Sequence, residues 1–289
     1  MKIIIVIPVI VLMFICNIES FSQCSDAGVC IIGKKTNELF RKNNSNISLG
    51  YVLGRSGDPD DISYNTIKLD AEFQIAKFWG VTASMPFSYN TGPSGDASGP
   101  GDLSVLGTML FPIEGIVAIS LTIGGKFATG SVNAGDSLPQ AYQPGLGTND
   151  LLVGIGLLGN NFNAGIAYQK PFGRSSNNVT RLKRGDDLMF RAGYNMQFDK
   201  LNVKAEVLGI KRIKQSSIRV PNSNPEVFED AADSDFFQVN LVGQISYMLT
   251  NRIDVTGFAA LPLLKRDTNY DGTKRAFSGG VTLSYRFRL

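Results

Sequence analysis

Residues 237–249 read FQVNLVGQISYML, and this stretch decides the fold. Its odd-numbered positions are apolar or glycine throughout, whereas polar side chains occupy most of the even-numbered positions. A period of two is typical of a β-strand with one apolar and one polar face. The stretch exceeds the five or six residues typical of strands in soluble proteins. About ten tilted residues are enough to cross a membrane as a strand. The stretch therefore predicts a membrane-crossing β-strand.

The same alternation recurs along most of the chain, clearly so in residues 67–75, 188–198 and 277–287. We predict twelve strands, most of them ten residues or longer, at 45–54, 63–76, 80–90, 101–111, 116–128, 149–158, 162–171, 186–198, 201–213, 235–249, 252–264 and 275–287. An even number of strands places both ends of the strand series on the same side of a membrane, as in bacterial outer-membrane barrels.

The predicted connections alternate in length. Short turns fall at residues 77–79, 112–115, 159–161, 199–200 and 250–251. Longer, polar and glycine-rich loops fall at residues 55–62, 91–100, 129–148, 172–185, 214–234 and 265–274. Short turns on one rim and long loops on the other are typical of outer-membrane barrels, with the short turns in the periplasm.

Aromatic residues gather on the apolar parity at both ends of the predicted strands. Near the short turns these are Phe111, Phe162, Phe198, Tyr247 and Phe287, and near the long loops they are Phe87, Tyr89, Phe127, Phe190, Phe237 and Phe277. Two aromatic girdles mark the two membrane interfaces of such barrels. The sequence thus predicts an all-β fold, a transmembrane antiparallel up-and-down β-barrel of about twelve strands in a bacterial outer membrane, in contact with its lipid. The alternative is a soluble β-sandwich or lipocalin-like protein, whose strands also alternate.

The first residues resemble a secretory signal peptide. Lys2 precedes an apolar run from Ile3 to Ile15, which is too short for a membrane-spanning helix, and small residues follow at Ser20 and Ser22. The alternative is an N-terminal membrane anchor. We predict a signal peptide at 1–22, a periplasmic or lumenal segment at 23–44, and the barrel at 45–289.

Two cysteines, Cys24 and Cys30, remain after the predicted cleavage. In an oxidising compartment this pair can close a small disulfide loop, and the alternative is two free thiols.

Composition excludes several classes of function. A mean hydropathy of +0.03 argues against a helical membrane protein. A net charge of +3 is too small to indicate nucleic-acid binding. The chain has no histidine, which removes the catalytic Ser-His-Asp and Cys-His arrangements, so we expect no enzymatic activity.

Charged residues on the polar parity are predicted to line the lumen: Lys68, Asp70, Glu72, Asp102, Lys126, Arg191, Lys204, Glu206, Arg212 and Asp254. Both signs are present, so these side chains either line a polar conduit or pair into a salt-bridged plug. Many small residues share this parity, and barrels of eight strands are filled whereas those of sixteen are open. These two points favour a narrow passage.

One predicted loop contains Asp267, Asn269 and Asp271, followed by Gly272. Alternating oxygen-bearing side chains before a glycine match the first half of a calcium-binding loop. The closing glutamate is missing, because Ser278 occupies its position. The alternatives are a calcium site and a polar hairpin loop, and we expect no other cofactor.

The last residues, 281–289, read VTLSYRFRL and resemble the C-terminal strand signal of outer-membrane barrels. Phe287 stands near the end in place of the usual final aromatic, and Leu289 follows it on the same face. The resemblance implies the barrel-assembly machinery as a partner.

The segment Gly99-Pro-Gly-Asp-Leu103 resembles the glycine-rich motif of the meta-pathway phenol-degradation family of outer-membrane proteins. This resemblance implies a channel for passive uptake of small-molecule solutes, hydrophobic or aromatic ones included. The alternative function is a structural or surface-binding barrel that acts through its long loops.

Overall fold

A computed structural model describes residues 45–113, 118–135 and 137–288 of the protein. Fifteen strands account for nearly all regular structure in these ranges, and a single 3-10 turn lies at Gln140–Tyr142. The strands are β1 Ser45–Arg55, β2 Ser63–Ala76, β3 Trp79–Gly92, β4 Gly95–Pro100, β5 Leu103–Pro112, β6 Ala118–Phe127, β7 Asn149–Leu158, β8 Phe162–Phe172, β9 Asp187–Phe198, β10 Leu201–Arg212, β11 Ser217–Arg219, β12 Phe228–Asp230, β13 Phe237–Met248, β14 Ile253–Leu264 and β15 Phe277–Phe287.

Thirteen of these strands form one closed antiparallel sheet. Its order is β2-β1-β15-β14-β13-β10-β9-β8-β7-β6-β5-β3-β4, and a further pairing of β2 with β3 completes the ring. The first and last strands meet directly, with Ser45 opposite Phe287 and Arg55 opposite Phe277. Strands β4 and β5 both pair with β3, so they form one interrupted strand of the wall. The wall therefore has twelve strands in up-and-down order, which confirms the predicted fold class.

The predicted loop at 91–100 is wrong in detail. Strand β3 continues to Gly92, and β4 returns along it after a turn at Pro93 and Ser94. Proline presets the backbone angle that the second position of a tight turn requires. The alternation is hidden in this segment because its side chains are small. The predicted loop at 214–234 likewise contains a small hairpin of β11 and β12.

The outer face of the wall is apolar and exposed. In β7 the burial pattern alternates strictly between exposed and buried positions, and Leu49, Leu69, Val281 and Leu283 are each at least half exposed. Exposed aromatic side chains mark the short-turn end at Trp79, Phe111, Phe162, Phe198, Tyr247 and Tyr285, and the long-loop end at Phe87, Tyr89, Phe127, Phe172, Phe190 and Phe237. Such a band between two aromatic girdles is the lipid-facing surface of a transmembrane barrel, and up-and-down barrels of this kind belong to the bacterial outer membrane.

Among the described residues, no helix is long and apolar enough to cross a membrane. The predicted signal peptide, the segment 23–44 and both Cys24 and Cys30 lie outside the described residues.

Candidate functional site

The candidate site is the interior of the barrel with its outer mouth, at the long-loop end. Of the ten charged residues predicted to line the lumen, nine lie on strands, at positions that alternate with the exposed apolar face, and all ten are buried or half-buried. The tenth, Asp102, lies in the break between β4 and β5. The structure therefore brings these residues to one surface, the inner face of the wall.

Towards the short-turn end, the charges form small local groups. Glu206 forms an ion pair with Arg191, whose Nε lies 2.8 Å away, and accepts from the Nζ of Lys204 at 3.2 Å. Three further groups join Lys68 to Asp70, Asn46 to Glu72, and Arg286 to Asp254. Each charged group therefore has a partner of opposite sign or an amide partner within the wall.

Towards the long-loop end, seven charged side chains form what we call the mouth network: Lys126, Asp150, Arg184, Asp187, Arg212, Arg266 and Asp271. Asp150 pairs with Lys126 at 2.9 Å and with Arg184 at 3.1 Å. Asp187 pairs with Arg184 at 3.0 Å and with Arg212 at 2.8 Å. Every member is buried, so each ion pair acts in a medium of lower dielectric than water. The network runs from β6 to the loop that precedes β15.

Asp271 links this loop to the wall. Its carboxylate accepts from Arg212 at 3.0 Å and from Arg266 at 3.2 Å, and the Nε of Arg184 lies 3.6 Å away. Burial alone would raise the pKa of Asp271, but these guanidinium groups lower it well below the ordinary value. Burial also lowers the pKa of Arg266 to about 10, so both groups are charged at neutral pH.

The calcium interpretation of this loop stays a prediction. Asn269 donates to the hydroxyl of Tyr64 at 3.2 Å and accepts from the backbone of Lys274 at 3.0 Å, whereas Asp267 is exposed. Within the described ranges, no group of three or more His, Cys, Asp and Glu side chains is placed to hold a metal ion. The carboxylate of Asp271 accepts from arginine side chains and from the N–H and hydroxyl of Thr273, so in this arrangement it serves ion pairs and hydrogen bonds within the loop.

Above the network, three loops meet across the mouth. We call them the mouth cap: residues 129–148 (of which Asp136 is not described), 173–186 and 265–276. In the first loop, Tyr142 packs in an apolar cluster with Ile62, Tyr64, Ala97, Leu138 and Ala141. Its carbonyl accepts from Asn90 of β3 at 2.8 Å. Two residues earlier, the backbone N–H of Gln140 donates to Thr180 of the second loop at 3.0 Å. The cap thus bridges β3 to the β8–β9 loop, which stand far apart around the ring.

Asp102 anchors the first cap loop at both of its ends. One carboxylate oxygen accepts from the N–H of Gly130 at 3.0 Å and the other from the N–H of Leu146 at 2.7 Å. A β-carbon on Gly130 would come within 2.8 Å of the Asp102 carboxylate and 2.7 Å of Gly145, so the loop ends require glycine here. The motif Gly99–Leu103 therefore builds the break in the wall where the cap is attached.

Below the mouth network, one side of the inner wall is apolar. Five buried residues form this inner apolar cluster: Leu106, Leu152, Ala167, Met189 and Leu208. They lie on β5, β7, β8, β9 and β10. Leu152 and Met189 are two residues along their strands from Asp150 and Asp187, and the strand partner of Leu106 is two residues from Lys126. The opposite wall carries buried polar side chains, among them Ser48, Ser84, Gln238, Asn240, Ser278 and Ser284.

Sequence reasoning missed several of these residues. Four of them stand at strand ends or in loops: Asp150, Arg184, Asp187 and Arg266. At such positions the alternation of apolar and polar residues does not predict which way a side chain points. The inner apolar cluster was missed because apolar residues on the polar parity, such as Met189 and Leu208, look like irregularities in the pattern. Their gathering on neighbouring strands would have been visible once the strands were aligned in order.

Comparison of the sequence with protein-family models gives no match, and no curated protein matches it either.

Comparison of the structure with solved structures gives matches to outer-membrane barrels. An outer-membrane channel from Pseudomonas putida F1 has a TM-score of 0.63 at 11% identity, covering 85% of this chain and 96% of the channel. The NanC porin has a TM-score of 0.48 at 12% identity, covering 85% and 100%. The KdgM porin, in complex with oligogalacturonate, has a TM-score of 0.46 at 9% identity, covering 83% and 99%. The first of these similarities shows that the chain has the fold of a bacterial outer-membrane barrel.

Proposed function

We propose that the protein is a passive outer-membrane channel, not an enzyme, whose outer mouth is closed by the mouth cap in the conformation described. The observation that carries the proposal is the inner wall itself. Ser84, Ser104 and Ser278 lie on its polar face among other buried polar side chains, whereas the opposite face of the same strands is apolar and exposed. A closed barrel with an apolar outside and a polar inside is the arrangement of outer-membrane channels. The shared fold with the Pseudomonas putida channel supports this function.

For the solute we propose a small, uncharged molecule with an apolar part, aromatic compounds included. The charges of the inner wall are paired with one another, so they attract no particular sign of ion. The inner apolar cluster lies beneath the mouth network, with its side chains buried in the conformation that the cap closes. A solute with one apolar and one polar side would contact this cluster and the hydroxyl-rich wall together.

The test is solute flux into liposomes that contain the refolded full-length protein, measured by swelling. The probes are methyl and phenyl β-glucoside, which share the sugar and differ in the apolar group. We expect flux of both, with the phenyl compound favoured beyond its size. The variant Met189→Gln places an amide in the inner apolar cluster and should remove that preference. The matched control is Met196→Gln, because Met196 lies on the same strand but faces outward.

Equal preference in both variants and the wild type would contradict the proposed solute class. The variant Asp271→Asn removes a carboxylate that holds the cap to the wall. If folded barrels of this variant gave no flux, the proposal that the protein is a channel would be contradicted. That outcome would support a second candidate, a surface-binding barrel that acts through its long loops. The observation in favour of this candidate is the β11–β12 hairpin, where Val227 and Phe228 are exposed.

A further inference from the structure

A group of lysines stands on the outer, membrane-facing side of the barrel wall, outside the interior described above. Lys170 shares its side of β8 with the exposed Ile166 and Phe172. Lys211 lies opposite Leu188 and Phe237, on the outer side of β10. Lys214 follows in the next loop, with its side chain 70% exposed. All three lie at the long-loop end of β8, β9 and β10.

One carboxylate stands among them. Asp186 lies 3.9 Å from the ammonium of Lys170 and 3.7 Å from that of Lys214, and it accepts from the hydroxyl of Tyr168 at 2.7 Å. The ammonium of Lys211 donates to the backbone carbonyl of Asp235 at 2.6 Å, and the carboxylate of Asp235 accepts from Gln215. We call Lys170, Lys211 and Lys214 the lysine patch. It holds more positive charge than Asp186 neutralises, and its ion pairs are long.

The aromatic girdle fixes the depth of the patch in the membrane. Phe190 and Phe237 lie with their ring centroids 5.8 Å apart on the same outer face, and Phe190 is four residues nearer the membrane centre along the chain than Asp186. Aromatic belts sit at the level of the lipid headgroups, and lysine side chains near strand ends reach towards the headgroups. The patch therefore meets headgroups and not acyl chains.

We propose that the lysine patch binds a phosphate group of the outer-leaflet glycolipid, lipid A. The long-loop end of an outer-membrane barrel faces the outside, and the outer leaflet there is built from this phosphorylated lipid. Clusters of lysine at the membrane surface bind anionic headgroups. The acyl chains of the lipid would lie on the exposed apolar residues below the patch.

The test measures binding of fluorescent lipid A, with two phosphates, to the full-length protein in phosphatidylcholine nanodiscs. The variant carries Lys170→Gln, Lys211→Gln and Lys214→Gln. The control variant removes three positive charges from the short-turn rim, by Lys77→Gln, Lys200→Gln and Arg252→Gln, all at exposed positions. We expect the patch variant to bind about 100-fold more weakly, the combined contribution of three lysines at a membrane surface, and the control variant to bind like the wild type.

Heat-modifiable gel migration establishes that each variant is folded. Lys211 donates a hydrogen bond to a backbone carbonyl, and its substitution removes that bond. A second variant with only Lys170→Gln and Lys214→Gln therefore tests the patch with the hydrogen bond of Lys211 intact. Equal binding by the wild type and both patch variants would overturn the proposal. Equal weakening in the control variant, or equally tight binding of dephosphorylated lipid A by the wild type, would overturn it as well.

Discussion

At the scale of single residues, Asp271 carries much of the contact between the third cap loop and the barrel wall. Its carboxylate lies against the guanidinium groups of Arg184, Arg212 and Arg266, which come from the wall and from two different loops. Removing one partner of a buried ion pair costs more than the pair itself contributes, because the remaining charges stay buried. The closed mouth therefore depends on this carboxylate more than on any exposed charge nearby.

We predict that Asp271→Asn loosens the mouth cap while the barrel stays folded. The substitution should lower the free energy that holds the cap closed by about 3 kcal/mol, the scale found for buried pairs that lose one partner. Hydrogen exchange followed by mass spectrometry should show faster exchange in residues 265–276 and 173–186. The control is Asp267→Asn, an exposed position in the same loop. Unchanged exchange in the Asp271 variant would contradict the role of this residue.

The pH dependence of the cap follows from the lowered pKa of Asp271. A carboxyl group whose pKa is lower in the folded state stabilises that state above its unfolded pKa, about 3.9, and loses this contribution only as pH falls through the lower folded value. Arg266, with a pKa of about 10, stays positively charged up to about pH 8 and above. We therefore expect the fraction of open channels in planar bilayers to stay constant between about pH 5 and pH 8. A transition within this range would show that another group controls the cap.

At the scale of elements, close approach between strands limits which residues the wall accepts. A β-carbon on Gly124 of β6 would clash with the backbone carbonyl oxygen of Val105, whereas one on Gly257 of β14 would meet no atom within 4 Å. We predict that Gly124→Ala destabilises the barrel by about 1–3 kcal/mol, the usual cost of overpacking. Gly257→Ala is the matched control and should be nearly neutral. Urea titration followed by the gel shift of the folded barrel measures both, and equal stabilities would contradict the geometry.

The elements were largely predictable from the sequence, and the site was only partly so. Alternation located the wall strands because one face of each meets lipid and the other the interior, as in β7 and β13. It failed at Gly95–Pro100, where small side chains leave no contrast between the faces. It also gave no account of Arg184 or Asp271, since the direction of a loop side chain depends on tertiary contacts. The charged residues of the inner wall were predictable by parity, but their partners were not.

At the scale of the whole molecule, the exposed band of the wall requires a membrane around it. We predict that Leu283→Arg, near the middle of β15, destabilises the folded barrel in lipid by about 2–4 kcal/mol. Leu249→Arg, at the short turn after β13, should cost about 1 kcal/mol or less, because the interface is wet. Both leucines are about half exposed in the structure, so burial in protein does not distinguish them. Reversible unfolding from vesicles measures the difference, and equal costs would contradict the position of the membrane.

The central claim, that the barrel is a channel closed by its mouth cap, is tested most directly by single-channel recording in planar bilayers. The refolded full-length protein and the Asp271→Asn variant are compared after gel migration has shown that both are folded. We expect discrete conductance steps from both, rare in the wild type and much more frequent in the variant. Folded, inserted barrels that give no steps in either protein would contradict the claim.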